Sequence, residues 1–193
     1  IYELQEPPRV TDEEPPIADV FTRSRAEYRT VNFGRSLQMV SGKRNDEELI
    51  SFIKFNLNHI QQSNILTKGK LRVYYTGTLI NGTRLQLRAV DENWNETSLT
   101  YLNKPKLGSS ITEAYTINRE KSYIEFEVKD FVQFWVSGER ENNGFAILYP
   151  QDQESGEVIF RTKESFKAPE LIMEYFDTRV FSFGRSNIPV EIT

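Results

Sequence analysis

Leu71-Arg72-Val73-Tyr74-Tyr75 and Arg84-Leu85-Gln86-Leu87-Arg88-Ala89 together decide the fold class. In the first run Leu71, Val73 and Tyr75 fall on one face, with Arg72 and Tyr74 on the other. In the second, Leu85, Leu87 and Ala89 oppose Arg84, Gln86 and Arg88. A period of two is the mark of a strand with one buried face. Between the runs, Asn81-Gly82 is a tight-turn signal, because both residue types tolerate positive φ.

The same period extends outward from this stretch. Ile124, Phe126 and Val128 alternate with Glu125, Glu127 and Lys129, whereas Leu49 to Leu57 alternates only in part. Gly144 to Tyr149, Val158 to Arg161 and Leu171 to Tyr175 supply late strands. One segment breaks the pattern. Val128, Phe131, Val132, Trp135 and Val136 make a single apolar stripe at helical spacing, and Gly138 suits a helix C-terminus. This predicts a short helix plugging one end of the fold, with Trp135 in the core. The whole predicts an all-β, jelly-roll-like antiparallel β-sandwich with one short helix.

Composition narrows the function classes. The chain has 193 residues, 38% of them hydrophobic, a net charge of -4 and no cysteine. That length accommodates one sizeable core. A mildly acidic chain lacks the clustered basic surface that nucleic acid requires. Without cysteine there are no disulfides, thiolate zinc sites or Cys nucleophile. No run approaches the roughly 18 apolar residues of a membrane span, so membrane insertion is not expected. The opening Ile1-Tyr2-Glu3 has no leader pattern, as expected of a fragment or a processed product.

Three segments are expected. Residues 1–16 hold Pro7-Pro8 and Pro15-Pro16 among acidic residues and read as a stiff spacer. Residues 17–176 form the sandwich module. Residues 177–193 read as a connector or the start of a further module, since Phe-Gly-Arg-Ser occurs at 33–36 and again at 183–186.

No catalytic constellation is legible. The one histidine, His59, lies in the polar connection Asn56-Leu57-Asn58-His59-Ile60 and reads as solvated. A triad needs a nucleophile beside such a histidine, and zinc needs several ligands, which this sequence does not visibly assemble. Carboxylates are plentiful, but a glycosidase pair is a matter of spatial separation that sequence does not display. No cofactor is expected, with structural calcium the one candidate. Asp91, Asn93 and Asn95 are spaced like oxygen ligands, although the Gly and closing Glu of a helix-loop-helix calcium site are missing. Two glycosylation sequons start at Asn81 and Asn95.

Trp94-Asn95-Glu96-Thr97-Ser98-Leu99-Thr100-Tyr101-Leu102-Asn103-Lys104-Pro105 intersperses large aromatics with turn-forming residues. Such a segment either locks a sandwich edge or offers aromatic faces to a ligand. Locking is the favoured role, with Trp94, Leu99 and Tyr101 as fasteners and Glu96 and Asn103 making polar turn contacts.

In order along the body, the residues resemble the DNRLRE domain family, which is related to carbohydrate-binding module family 96. Ala18-Asp19 followed by Asn32-Phe33-Gly34-Arg35-Ser36 is similar to the family's opening strand and turn. Ile53-Lys54-Phe55-Asn56-Leu57 and Leu71-Arg72-Val73-Tyr74 resemble the next strands. Trp94, Glu96, Thr97, Thr100, Tyr101, Asn103 and Pro105 match the central motif, with Tyr101 replacing a Trp. Trp135 with Gly138, Asn143-Gly144-Phe145, Phe160 with Glu164, and Pro169-Glu170-Leu171 complete the series. Asn56 stands where the family carries Asp, which weakens any charge role at that strand.

The resemblance implies a non-catalytic ancillary module of an extracellular, cell-surface or virion protein that binds polysaccharide. The alternative is a structural spacer or assembly module of a phage tail or surface fibre, with other protein chains as partners. Candidate ligand-binding residues are Arg72, Tyr74, Arg84, Gln86, Arg88, Tyr101 and Asn103, with Tyr149 as a further aromatic; the Arg84–Gln86–Arg88 face suits an acidic glycan. Asn32, Gly34, Trp94, Trp135 and Gly144 are expected to be structural.

Overall fold

The computed structural model describes residues 8–77, 82–115 and 122–177. They form eleven antiparallel strands and one helix, an all-β sandwich as predicted. One layer contains β1 (Arg9–Glu14), β11 (Glu170–Phe176), β5 (Leu66–Thr76) and β8 (Tyr123–Glu127), in that order. The other contains β10 (Gly156–Arg161), β3 (Gln38–Arg44), β4 (Glu47–Lys54), β9 (Phe145–Leu148), β6 (Arg84–Val90) and β7 (Leu107–Tyr115), with β2 (Ala18–Arg23) also paired to β4. Tyr75 and Thr76 at the end of β5 pair with β10, so the two layers are one curled sheet.

The inward faces make the main core. Leu71 and Val73 of β5, Phe126 of β8 and Met173 of β11 meet Ile53, Phe145, Leu87 and Phe160 of the opposite layer. The layer containing β4 is also buried on its outer side, where Ala18, Val20, Ile50, Phe52 and Ala146 pack with Val90, Trp94 and Leu99. This explains the imperfect alternation at Leu49 to Leu57. A strand covered on both faces has no solvent side to keep polar.

The helix α1 (Lys129–Ser137) buries Val132, Trp135 and Val136, and Gly138 closes it at φ 81° with its N–H on the Trp135 carbonyl. A left-handed residue there is the usual glycine C-cap. The Trp135 and Phe145 ring centroids are 4.7 Å apart, which fastens the helix to β9. The helix starts against Gly69 of β5, where a Cβ would come within 2.7 Å of Lys129 Cα.

Three expectations change. Residues 9–14, read as spacer, are β1, paired residue for residue with β11. The proline pairs bracket this strand instead of interrupting it, and the outermost position in a sheet tolerates its charges. Asn81-Gly82 does not join a hairpin. Gly82 has φ 84° as a turn requires, yet β5 and β6 lie in opposite layers and do not pair; Asn81 itself lies outside the described residues. A turn signal is local, and it does not select the strand's partner. Residues 94–105 cover the outer face of a layer and not its edge. Among the described residues, no helix is long and apolar enough to cross a membrane.

Candidate functional site

Trp94 and Leu99 commit the Trp94–Pro105 segment to the outer face of the β4 layer. Trp94 is 8% exposed, meets Phe52 edge-on at 5.9 Å, and donates Nε1–H to the Asn143 carbonyl at 2.7 Å. Lys54 caps it, with its ammonium 4.5 Å from the ring centroid and donating to the Trp94 carbonyl. Two Asn-x-Gly turns each clasp segments distant in sequence. Asn32 accepts from Gly34 N–H and donates to the carbonyls of Glu96 and Leu99, both at 2.8 Å. Asn142 likewise accepts from Gly144 N–H and donates to the Phe55 carbonyl. Each glycine admits no side chain. A Cβ on Gly34 would lie 2.2 Å from the Glu96 carbonyl oxygen, and one on Gly144 2.2 Å from that of Ile53.

Beneath the segment sits a buried charge cluster. Asp19, 1% exposed, accepts from the Lys163 backbone N–H at 2.6 Å, and its own N–H donates to Glu96. Burial pushes its carboxyl up to about 7; the Lys163 N–H opposes the shift, and Glu96 and Glu164 add to it. The Lys163 ammonium bridges Glu96 and Glu164.

The ligand candidates read from sequence fall in separate places. Tyr101 packs against the outer cluster, with its hydroxyl on Glu48 and the Lys104 ammonium 3.7 Å from its ring centroid. Asn103 closes its own turn through Thr100 N–H and the Ser98 carbonyl. Tyr149 is buried, with its hydroxyl on the Glu154 carbonyl. Arg84 bonds Asp152 at 2.5 Å and Arg88 bonds the Gly108 carbonyl at 2.7 Å, while Gln86 lies between them in register with Leu148. In the calcium candidate, Asn93 Oδ1 accepts from the Lys54 ammonium and Asn95 Oδ1 holds the Thr97 N–H and hydroxyl. Asp91 lies beside Gly108.

Arg72 and Tyr74 do stand together, on the outer face of β5. Arg72 grips Glu125 at 2.7 and 2.9 Å and lies over Tyr123, which in turn meets Tyr74 edge-on. Residues 68 and 70 share that face by the strand's period of two. Lys68 and Lys70 thus extend a cationic row toward the helix.

There the row enters a cleft of about 650 Å³ between β5, β7 and α1. Lys68, Lys70 and Lys129 line it with Phe131 and Phe134, and with the carboxylates of Glu127 and Asp130. Phe134 is 38% exposed, and Arg140 lies 5.3 Å from its ring centroid. The three lysines hold carboxylates loosely, at 3.4 to 3.7 Å. Such exposed pairs contribute only about 0–1 kcal/mol and exchange partners readily. Sequence reading missed this site. One signal was present: Phe134 is an aromatic on α1 that lies off the apolar stripe.

His59 also departs from its sequence reading. It is not simply solvated: its Nε2 lies 2.5 Å from Asp12 Oδ2 and 3.1 Å from Glu14 Oε1. Burial and then Asp12 push the Glu14 carboxyl upward, and His59 pulls it down. The contact is invisible in the sequence because residues 9–14, rich in charge and flanked by prolines, do not read as a strand.

The profile of carbohydrate-binding module family 96 matches residues 10–175, from β1 to β11, and the chain belongs to that family. No curated protein matches the chain.

Proposed function

We propose that this module binds an acidic polysaccharide in the cleft between β5, β7 and α1, and that it does so without transforming the ligand. One observation carries this reading. A cleft of about 650 Å³ places three lysines beside an exposed phenylalanine. Carboxylates of a polyuronate chain suit the ammonium groups through charge-assisted hydrogen bonds. The apolar faces of its sugar rings suit Phe134 and Phe131. Lys68 and Lys70 follow one another along one face of β5, so a chain ligand fits better than a single sugar. Polysaccharides of this kind lie outside cells, so a cell surface, a wall or a virion is the location that fits this proposal. Of the tails invoked for an assembly role, residues 1–16 and 177–193, positions 1–7 and 178–193 lie outside the described residues.

Affinity electrophoresis tests the reading. The chain is expected to be retarded in a gel containing polyuronate and not in one containing a neutral glucan. Lys129→Ala combined with Phe134→Ala should weaken retardation about tenfold, which is roughly 1.4 kcal/mol. Arg84→Ala combined with Arg88→Ala should leave it unchanged, since those guanidiniums are engaged within the protein. Equal losses in both variants would move the site to the β6 face. Retardation in neither gel, or depolymerised glycan, overturns the proposal.

A further inference from the structure

Asp12 and Glu14 are two residues apart on β1 and point to the same, inward side of the outermost strand. Two neighbouring carboxylates repel, and a cationic partner is what holds them together. His59 approaches them from the loop after β4, 47 residues away in sequence. The imidazole Nε2 and one oxygen of each carboxylate all lie within 4.8 Å of one another. The carboxylates are largely covered, with side chains 15% and 26% exposed, while the imidazole is 42% exposed. The cluster is therefore anchored on its protein side and open to water on the other.

We propose that Asp12, Glu14 and His59 bind a divalent metal ion of the zinc class, which clamps β1 to the loop after β4. The donor set selects the metal. One imidazole nitrogen with two carboxylate oxygens matches zinc and its neighbours, whereas calcium takes oxygen ligands in greater number. Zinc bonds of about 2.0–2.2 Å put ligand atoms of a tetrahedral site roughly 3.3 Å apart. The 3.1 Å separation of His59 from Glu14 is already close to that, and Asp12 at 2.5 Å need withdraw by less than an ångström. Water completes the fourth position on the open side. The consequence is structural. Among the described residues β1 has a single strand neighbour, β11, and a metal would add a second attachment that skips the sheet hydrogen bonds altogether.

The chain's single histidine makes the test specific. Zinc chloride is titrated into the full chain after treatment with a chelator, with calcium chloride as the control. The imidazole resonances of His59 are followed by NMR, and the amide exchange of β1 by mass spectrometry. Zinc is expected to bind one to one, shift the imidazole signals in proportion, and slow exchange across residues 9–14. Calcium should do neither. His59→Gln, and separately Asp12→Asn, should each weaken zinc binding tenfold or more. Zinc uptake that leaves the His59 signals in place, or is equal in both variants, overturns the proposal, as does the lack of saturable uptake. The two variants change no residue of the cleft, so their retardation in polyuronate gels should be unaltered.

Discussion

Two regions of this molecule carry aromatic rings beside cations, and they use them in opposite ways. In the Trp94–Pro105 segment the Trp94 ring is buried, its N–H is bonded, and Lys54 is tied to its carbonyl. In the cleft beside α1, Phe134 keeps more than a third of its surface exposed and the lysines hold carboxylates at 3.4 Å or more. Composition is nearly the same in the two places. What differs is burial and the closeness of the pairing: Trp94 is covered and its N–H is bonded, whereas Phe134 keeps a face open beside lysines in looser ion pairs. A covered aromatic stabilises the fold, and an exposed one is open to a ligand.

The largest test of that contrast is Trp94→Ala. It removes a buried ring, a buried hydrogen bond and a cation contact, and should cost about 3–5 kcal/mol in chemical denaturation. A loss under 1 kcal/mol would mean that the segment is not a fastener.

Asp19 tests the charge layer beneath the segment. Its carboxyl is raised from 3.8 to about 7 in the folded chain. Folding thus favours the protonated form, and the stability Asp19 contributes is fully present below about pH 4. It is lost as pH rises through 7, by on the order of 4 kcal/mol at most. Asparagine does not titrate. The melting temperature of Asp19→Asn minus that of the wild type should therefore climb between pH 4 and pH 7 and level off above. A flat difference would show that the carboxyl is not perturbed.

A smaller effect is expected at the clasp. Asn32→Ala deletes two donated hydrogen bonds and one accepted one, and should cost about 2 kcal/mol. Loss of the clasp should also speed amide exchange at residues 96–99. The smallest effect belongs to the cleft. Phe134→Ala alone should change stability by less than about 0.5 kcal/mol, as a surface substitution does, while weakening polyuronate binding. If it instead destabilises the fold as Trp94→Ala does, the contrast between the regions collapses.

Much of the architecture was legible in the residues. The period of two in Leu71–Tyr75 and Leu85–Ala89, the helical stripe of α1 and the glycine that ends it are local patterns, and local backbone geometry answers to them. The broken alternation at Ile50 and Phe52 was also a signal. It marked a strand buried on both faces, one of them beneath Trp94. The repeated Asn-x-Gly pattern, at 32–34 and 142–144, could have identified both clasps, although only tertiary contact shows which carbonyls they hold.

The candidate sites were not legible, because each joins distant segments. Asp12 and His59 meet only because β1 docks on β11, and Lys68 and Phe134 meet only because α1 starts against Gly69. Sequence by itself determined the strands, the helix, the family resemblance and the residues able to bear charge. The tertiary structure alone decided which of those charges the protein neutralises and which it leaves to solvent. The physical reason is that hydrophobic periodicity is written residue by residue, whereas the pairing of a charge depends on what folding brings beside it.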